Sequence, residues 1–316
     1  MASGINSTNG SSLNISDSPR PLSTVIMIYI EIVLIPIIVG GNGLIICAVC
    51  RFKTLQHPSN VMVVFLAIGD FLMGAVYIPT KLLASPANFS KIPCLINVFN
   101  SYVCISLAIT FLSMLSVERF YAVQFPFHYH TRMSIKTSVT LCGVIFAGVV
   151  ILMLPILSGI DTWAYGKYCF NTNVLPNYYI WTCLSIMGSF LIAGFLSFIR
   201  VVFAEVQIRK RNNEQRSQTA FRQQDSIRST LMIMVYSFSM MCWMPQLVYV
   251  FWSAFKPAYS NVYALRAVSI VGLCSSGINF FIYGIKNSRF RNSFKKLFGC
   301  KVSTVGPPPD TVIMET

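Results

Sequence analysis

Seven long apolar stretches, at roughly residues 24–50, 60–84, 94–122, 137–158, 177–206, 227–254 and 260–284, constrain this chain more than any motif in it. A bilayer core about 30 Å thick needs about 20 apolar residues of helix at about 1.5 Å each, and all seven stretches are long enough. Hydrocarbon offers backbone amides no water, so stretches of this kind become helices. The predicted fold is an all-α membrane protein, a seven-helix transmembrane bundle. Composition agrees: charged residues make up 11% of the chain and hydrophobic residues 54%, whereas a soluble domain carries about 25% charged residues. The formal charge of +14 does not mark a nucleic-acid binder, because the basic residues form short clusters between apolar runs.

Lysine and arginine near span ends are retained on the cytoplasmic side. With the amino terminus outside, 18 of the 24 basic residues fall on the inner side, and only Arg20, Lys81, Lys91, Lys167, Lys256 and Arg266 fall on the outer side. The predicted organisation is therefore an extracellular amino terminus (1–23), a seven-span domain (24–285), an amphipathic helix (286–300) and a cytoplasmic tail (301–316), in the plasma membrane. No cleavable leader is expected. Asn6, Asn9, Asn14 and Asn88 each open an Asn-X-Ser/Thr triplet, so they are candidate glycosylation sites and support the same orientation.

Of the ten cysteines, Cys47, Cys50, Cys104, Cys142, Cys183, Cys242 and Cys274 fall inside apolar stretches and read as packing residues. Cys94, Cys169 and Cys300 remain, and only the first two lie on the oxidising side, which predicts a Cys94–Cys169 disulfide. That bond would pin the second outer loop to the third span. From Cys94 to Arg119 the third span runs roughly 37 Å, enough to cross the bilayer. Cys300 follows residues 288–298, where Phe290, Phe294, Leu297 and Phe298 recur at helical spacing among Arg291, Lys295 and Lys296. This reads as a membrane-surface helix with a candidate palmitoylation site at Cys300.

Ionisable residues inside spans cost about 2.5–3.5 kcal/mol on insertion scales and mark function or helix ties. Asp70 is read as the one acid deep in the bundle, with Asn42, Ser275, Ser276 and Asn279 as hydrogen-bonding neighbours. A purely structural tie is the alternative.

Asn42, the LAIGD run ending at Asp70, Cys94, Glu118-Arg119-Phe120, Cys242-Trp243-Met244-Pro245 and Asn279-Phe280-Phe281-Ile282-Tyr283 resemble the signature positions of the rhodopsin-like (class A) G-protein-coupled receptors. They occur one per span and in the family's order. The wording of KTLQHPSNVMVV and IYGIKNSRFRNSFKKLF is similar to the opsin and melatonin-receptor branch. The resemblance implies a receptor in which ligand bound in the outer half moves the sixth helix and promotes nucleotide exchange on a heterotrimeric G protein. It assigns the switch to Glu118, Arg119, Trp243, Pro245, Asn279 and Tyr283. Asp225, 20 residues before Pro245, is the acid expected to restrain Arg119. Departures are Phe280 for the family's Pro, Phe190 and Phe198 in the fifth span, Ser239 for a Phe, and Ala108 where a Ser often faces a sodium ion beside Asp70. Sodium at Asp70 is thus at most weak, and no other metal is expected.

Ligand class is read mainly from what is missing. Amine receptors of the family carry an Asp seven residues after the third-span cysteine, where this chain has Ser101. A retinal opsin needs a lysine six residues before Asn279, where this chain has Leu273. Covalent retinal is therefore not expected, and neither is any other cofactor. Asn97, Ser101, Tyr102, Trp243 and Gln246 are the candidate pocket, suited to a neutral small molecule. No phosphate loop, HExxH or nucleophile elbow is present, so an enzyme is not expected. The histidines His57, His128 and His130 read as exposed or interfacial. A transporter, or a receptor with weak G-protein coupling, is the alternative; the chain shows no repeated half.

Overall fold

The computed structural model describes residues 21–83, 90–162, 169, 174–214, 220–256 and 261–300; of 209, 211–214, 220–226 and 262 it describes the backbone alone. Asn6, Asn9, Asn14 and Asn88 lie outside the described residues. Among the described residues are seven helices long and apolar enough to cross a membrane: α1 (Leu22–Arg51), α2 (Pro58–Leu83), α3 (Lys91–Gln124), α4 (Ile135–Ile156), α5 (Asn177–Glu214), α6 (Ala220–Phe255) and α7 (Val262–Lys286). A short helix, Pro126–Arg132, joins α3 to α4, and α8 (Ser288–Leu297) follows α7.

Local chemistry sets the helix starts. Side-chain oxygens of Ser134, Asn261 and Asn287 accept the first amides of α4, α7 and α8, at Thr137, at Tyr263 and Ala264, and at Arg289 and Phe290. Pro58 and Pro126 occupy first-turn positions, where the missing N–H costs nothing. Pro245 stays inside α6 and removes one intrahelical bond there.

At the centre stands α3, with nearly every side chain from Ser106 to Ser116 buried. The outward faces of α1 and α5 carry Ile26, Tyr29, Val33, Ile192, Phe195 and Leu196, the surface expected toward lipid. Small residues bring helices close. A Cβ on Gly194 would stand 2.6 Å from Ser113 Oγ, and Ser116 donates to the Gly194 carbonyl at 2.9 Å, so α5 packs directly on α3. In α2 a π-helical turn, Met73–Tyr77, re-aims the rest of the helix. Gly74 in that turn admits Ile38 and Val39 of α1, 2.9 Å from where its Cβ would be.

Cys94 and Cys169 are joined by a disulfide, with their Cα atoms 5.6 Å apart. Cys104, Cys142, Cys183 and Cys242 are buried packing residues, whereas Cys47, Cys50 and Cys274 lie exposed on helix surfaces, which corrects the expectation for those three. The amphipathic α8 tucks Phe290 and Phe294 under Tyr283 and Phe280 (ring centroids 5.1 and 4.9 Å) and leaves Arg291, Lys295 and Lys296 exposed. Cys300 is exposed just beyond it.

Candidate functional site

The last turns of α3 carry a buried polar knot. Glu118 and Arg119 are both buried, and Arg119 donates from Nε to Glu118 Oε2 at 2.6 Å and from Nη2 to Oε1 at 2.5 Å. Ser59 Oγ donates to the same Oε1 at 2.9 Å, and Tyr129 OH, from the short helix, donates to it as well. Arg119 Nη2 also reaches Ser59 Oγ and Tyr129 OH. One carboxylate thus collects donors from α2, α3 and the short helix, which satisfies a charge that would otherwise be costly to bury. Burial, then the Glu118 charge, holds the Tyr129 phenol above its usual range, so it stays a donor.

Beside the knot, His57 caps α2, its Nδ1 accepting the Ser59 amide at 3.3 Å, and its Nε2 lies 3.1 Å from Arg228 Nη1 of α6. Burial, then the Arg228 and Arg119 charges, lowers the His57 pKa to about 4. His57 is therefore neutral and part of the knot rather than an exposed loop residue. The side chain of Asp225 lies outside the described residues. Arg119, Arg228, Tyr283, Lys286, Arg289 and Arg291 line a cavity of about 180 Å³ between α3, α6, α7 and α8.

Midway along the bundle, Asp70 accepts from Ser276 Oγ at 2.6 Å and from Asn279 Nδ2 at 2.8 Å. Asn42 donates to the Ser276 and Ile38 carbonyls, both at 2.9 Å. Ser275 is not a partner of Asp70: its hydroxyl bonds Ser239 of α6 at 3.0 Å. Two departures from the family wording thereby acquire partners. Ser239 meets Ser275, and Phe280 fills the space opposite Gly41, whose Cβ would stand 2.9 Å from it. In α5, Phe198 stacks on Tyr236 at 4.7 Å. Toward sodium, the Asp70 carboxylate is already doubly hydrogen-bonded, Ala108 adds no oxygen, and the Asn279 carbonyl oxygen is buried without a partner. That donor set is short for a hard cation.

Toward the disulfide end, Trp243 and Gln246 both face Gly272 of α7, each 3.0 Å from where its Cβ would be. Trp243 belongs to one buried apolar cluster with Ile38, Tyr77, Cys104, Ala108 and Leu273. Asn97, Ser101 and Tyr102 lie on the first turns of α3, and the carbonyl oxygens of Asn97 and Gln246 are buried without a hydrogen-bond partner.

A further buried carboxylate, not anticipated from the sequence, stands near that end. Glu31 of α1 is fully buried, with Oε1 2.8 Å from Lys81 Nζ and Oε2 2.6 Å from Arg266 Nη2. Asp70 is thus not the only acid deep in the bundle. Lys81 and Arg266, counted on the outer side, lie within α2 and α7. The available signal was an acid inside the first apolar stretch, which needs a cationic neighbour.

Seven spanning helices, a disulfide from the top of α3 and a buried Glu-Arg pair at its foot define a multi-pass membrane receptor. The chain matches the 7 transmembrane receptor (rhodopsin family) over residues 41–283 and belongs to that family, the G-protein-coupled receptors. It is 25% identical to trace amine-associated receptor 13c of Danio rerio, over 83% of this chain and 82% of that one. It is also 29% identical to D(2) dopamine receptor A of Xenopus laevis, over 58% and 42% of the two chains, and 32% identical to trace amine-associated receptor 365 of Petromyzon marinus, over 35% and 32%.

Proposed function

We propose that the receptor sits in the plasma membrane with its disulfide end outside and its Arg119 end in the cytoplasm. Ligand bound among Asn97, Ser101, Tyr102, Trp243 and Gln246 shifts α6 about Pro245 and promotes nucleotide exchange on a heterotrimeric G protein. The observation that carries this reading is the Glu118–Arg119 knot beside a cation-lined cavity: moving α6 withdraws Arg228 from His57 and opens that cavity to a partner. Asp225, Asn279 and Tyr283 complete the relay, the Asp70 cluster is its structural hub, and sodium binds there weakly if at all.

The buried part of the ligand is a small, uncharged group with hydrogen-bonding atoms. Two relatives are named for trace amines and one for dopamine, but Ser101 here supplies no carboxylate for an ammonium. The chain performs no catalysis and holds no retinal covalently, Leu273 being apolar and buried in the same cluster as Trp243. Asn6, Asn9, Asn14 and Asn88 are glycosylated and Cys300 palmitoylated.

The test is nucleotide exchange on purified G proteins by the receptor in nanodiscs, screened against a ligand library. Stimulation that Arg119→Ala abolishes at equal receptor level is expected. Ligand binding with no exchange on any G-protein class would defeat the coupling mechanism.

A further inference from the structure

We propose that Lys81 and Arg266 form an anion subsite at the disulfide end of the bundle and that the ligand carries an acid group, an ionised carboxylate, to it. This rests on the reading of that end as the ligand-entry side. Glu31 is fully buried about 14 Å into α1, and two cations share it: Lys81 Nζ and Arg266 Nε approach Oε1 at 2.8 and 3.1 Å, and Arg266 Nη2 approaches Oε2 at 2.6 Å. Two positive charges and one negative leave a surplus of +1 in a largely apolar setting, which is costly unless a further anion arrives. The other described acid at this end, Asp161, is paired with Lys91 at 2.9 Å. The Lys81 ammonium has three donors and the Arg266 fork five, so both have N–H groups left after serving Glu31.

Access and continuity favour a ligand over a bare structural tie. The side chains of Lys81 and Arg266 each keep 15% exposure while Glu31 keeps none, so solvent reaches the cations and not the carboxylate. Lys81 Nζ lies 5.8 Å from the centre of the Tyr77 ring, within range of a cation–π contact. Tyr77 packs in one cluster with Trp243 and Leu273. An acid head on Lys81 and Arg266 therefore continues through an apolar body along Tyr77 toward Trp243. The same surplus repels an ammonium, so it separates this site from an amine site.

The test uses three matched probes on the receptor in nanodiscs, at pH 7.4 and constant ionic strength: 3-phenylpropionate, 3-phenylpropanamide and 3-phenylpropylamine. Thermal unfolding reads their binding without any G protein. The acid is expected to bind about ten- to hundredfold more tightly than the amide, as a charge-assisted hydrogen bond does, and the amine to give no shift. Lys81→Met and Arg266→Gln each remove the acid preference, and Lys81→Arg keeps it. Glu31→Gln melts lower when empty yet gains a larger shift from the acid, the reverse of what a purely structural carboxylate would give. An acid shift no larger than the amide's, or a preference that survives both Lys81→Met and Arg266→Gln, overturns the proposal. Acid binding without nucleotide exchange would defeat the coupling mechanism and leave the subsite standing, and exchange driven by the amide or amine alone would do the opposite.

Discussion

The two ends of the bundle solve the same problem, a buried carboxylate, in different ways. At the foot of α3, Glu118 meets one cation and two hydroxyl donors, Ser59 and Tyr129. That cluster is balanced in charge, and its central pair is adjacent in the chain. At the opposite end Glu31 meets two cations brought from 50 and 235 residues away, and the charge is left in surplus. A balanced cluster is a lock that only movement of its own members opens. An unbalanced one can be completed by something from outside, so on the proposed reading restraint falls to one end and recognition to the other.

The largest expected effect falls on the tether that holds the recognition end. Cys94→Ala and Cys169→Ala should each lower surface expression severalfold, and the double variant should be no worse than either, since all three lose one bond of about 2–5 kcal/mol. Additive losses, measured by flow cytometry of tagged receptor, would mean the two thiols act separately. Next comes the lock. Glu118→Gln removes the counter-charge of Arg119 and should raise ligand-independent nucleotide exchange severalfold, and Asp225→Asn should raise it less. A basal rate unchanged in both variants, at matched expression, would leave the foot of α3 without a restraining role.

His57 sharpens the comparison through pH. Its folded pKa of about 4 lies below the ordinary 6.5, so the native state binds fewer protons than the unfolded chain. The stabilising contribution is complete above pH 6.5 and declines as pH falls from there toward 4. The melting temperature of receptor in nanodiscs should fall between pH 7.5 and 5.5, and His57→Asn, which keeps a cap for α2, should shrink that fall. An identical pH profile in the variant would remove His57 from the lock. The smallest effect is expected midway between the ends. Ser239→Ala and Ser275→Ala should each cost about 1 kcal/mol, and the double variant little more, because both hydroxyls serve one hydrogen bond. Full additivity in thermal melts would show that the pair is not coupled.

Much of the fold was legible because its causes are local or follow from composition. Apolar length is a property of a contiguous stretch, so seven spans emerged directly. Positive charge near span ends suggested an orientation, and eliminating the membrane-buried cysteines left one pair to join. Glu118 and Arg119 are neighbours in the chain, and a carboxylate inside LAIGD demanded polar company, which Ser276 and Asn279 provide.

What the tertiary structure alone decided concerns how helices rotate against one another. The π turn at Met73–Tyr77 and the contact of Gly74 with Ile38 and Val39 belong to the packing that brings Lys81 to Glu31, and no periodicity in the sequence announces that turn. His57 meets Arg228 across 171 residues, and Ser275 turned from Asp70 to Ser239, because the face a helix presents depends on how its neighbours fit. The sequence determined which residues must lie in the membrane, since transfer from water acts on each stretch separately. Only tertiary packing determined which charges share a carboxylate, since pairing between helices depends on distances that no single stretch contains.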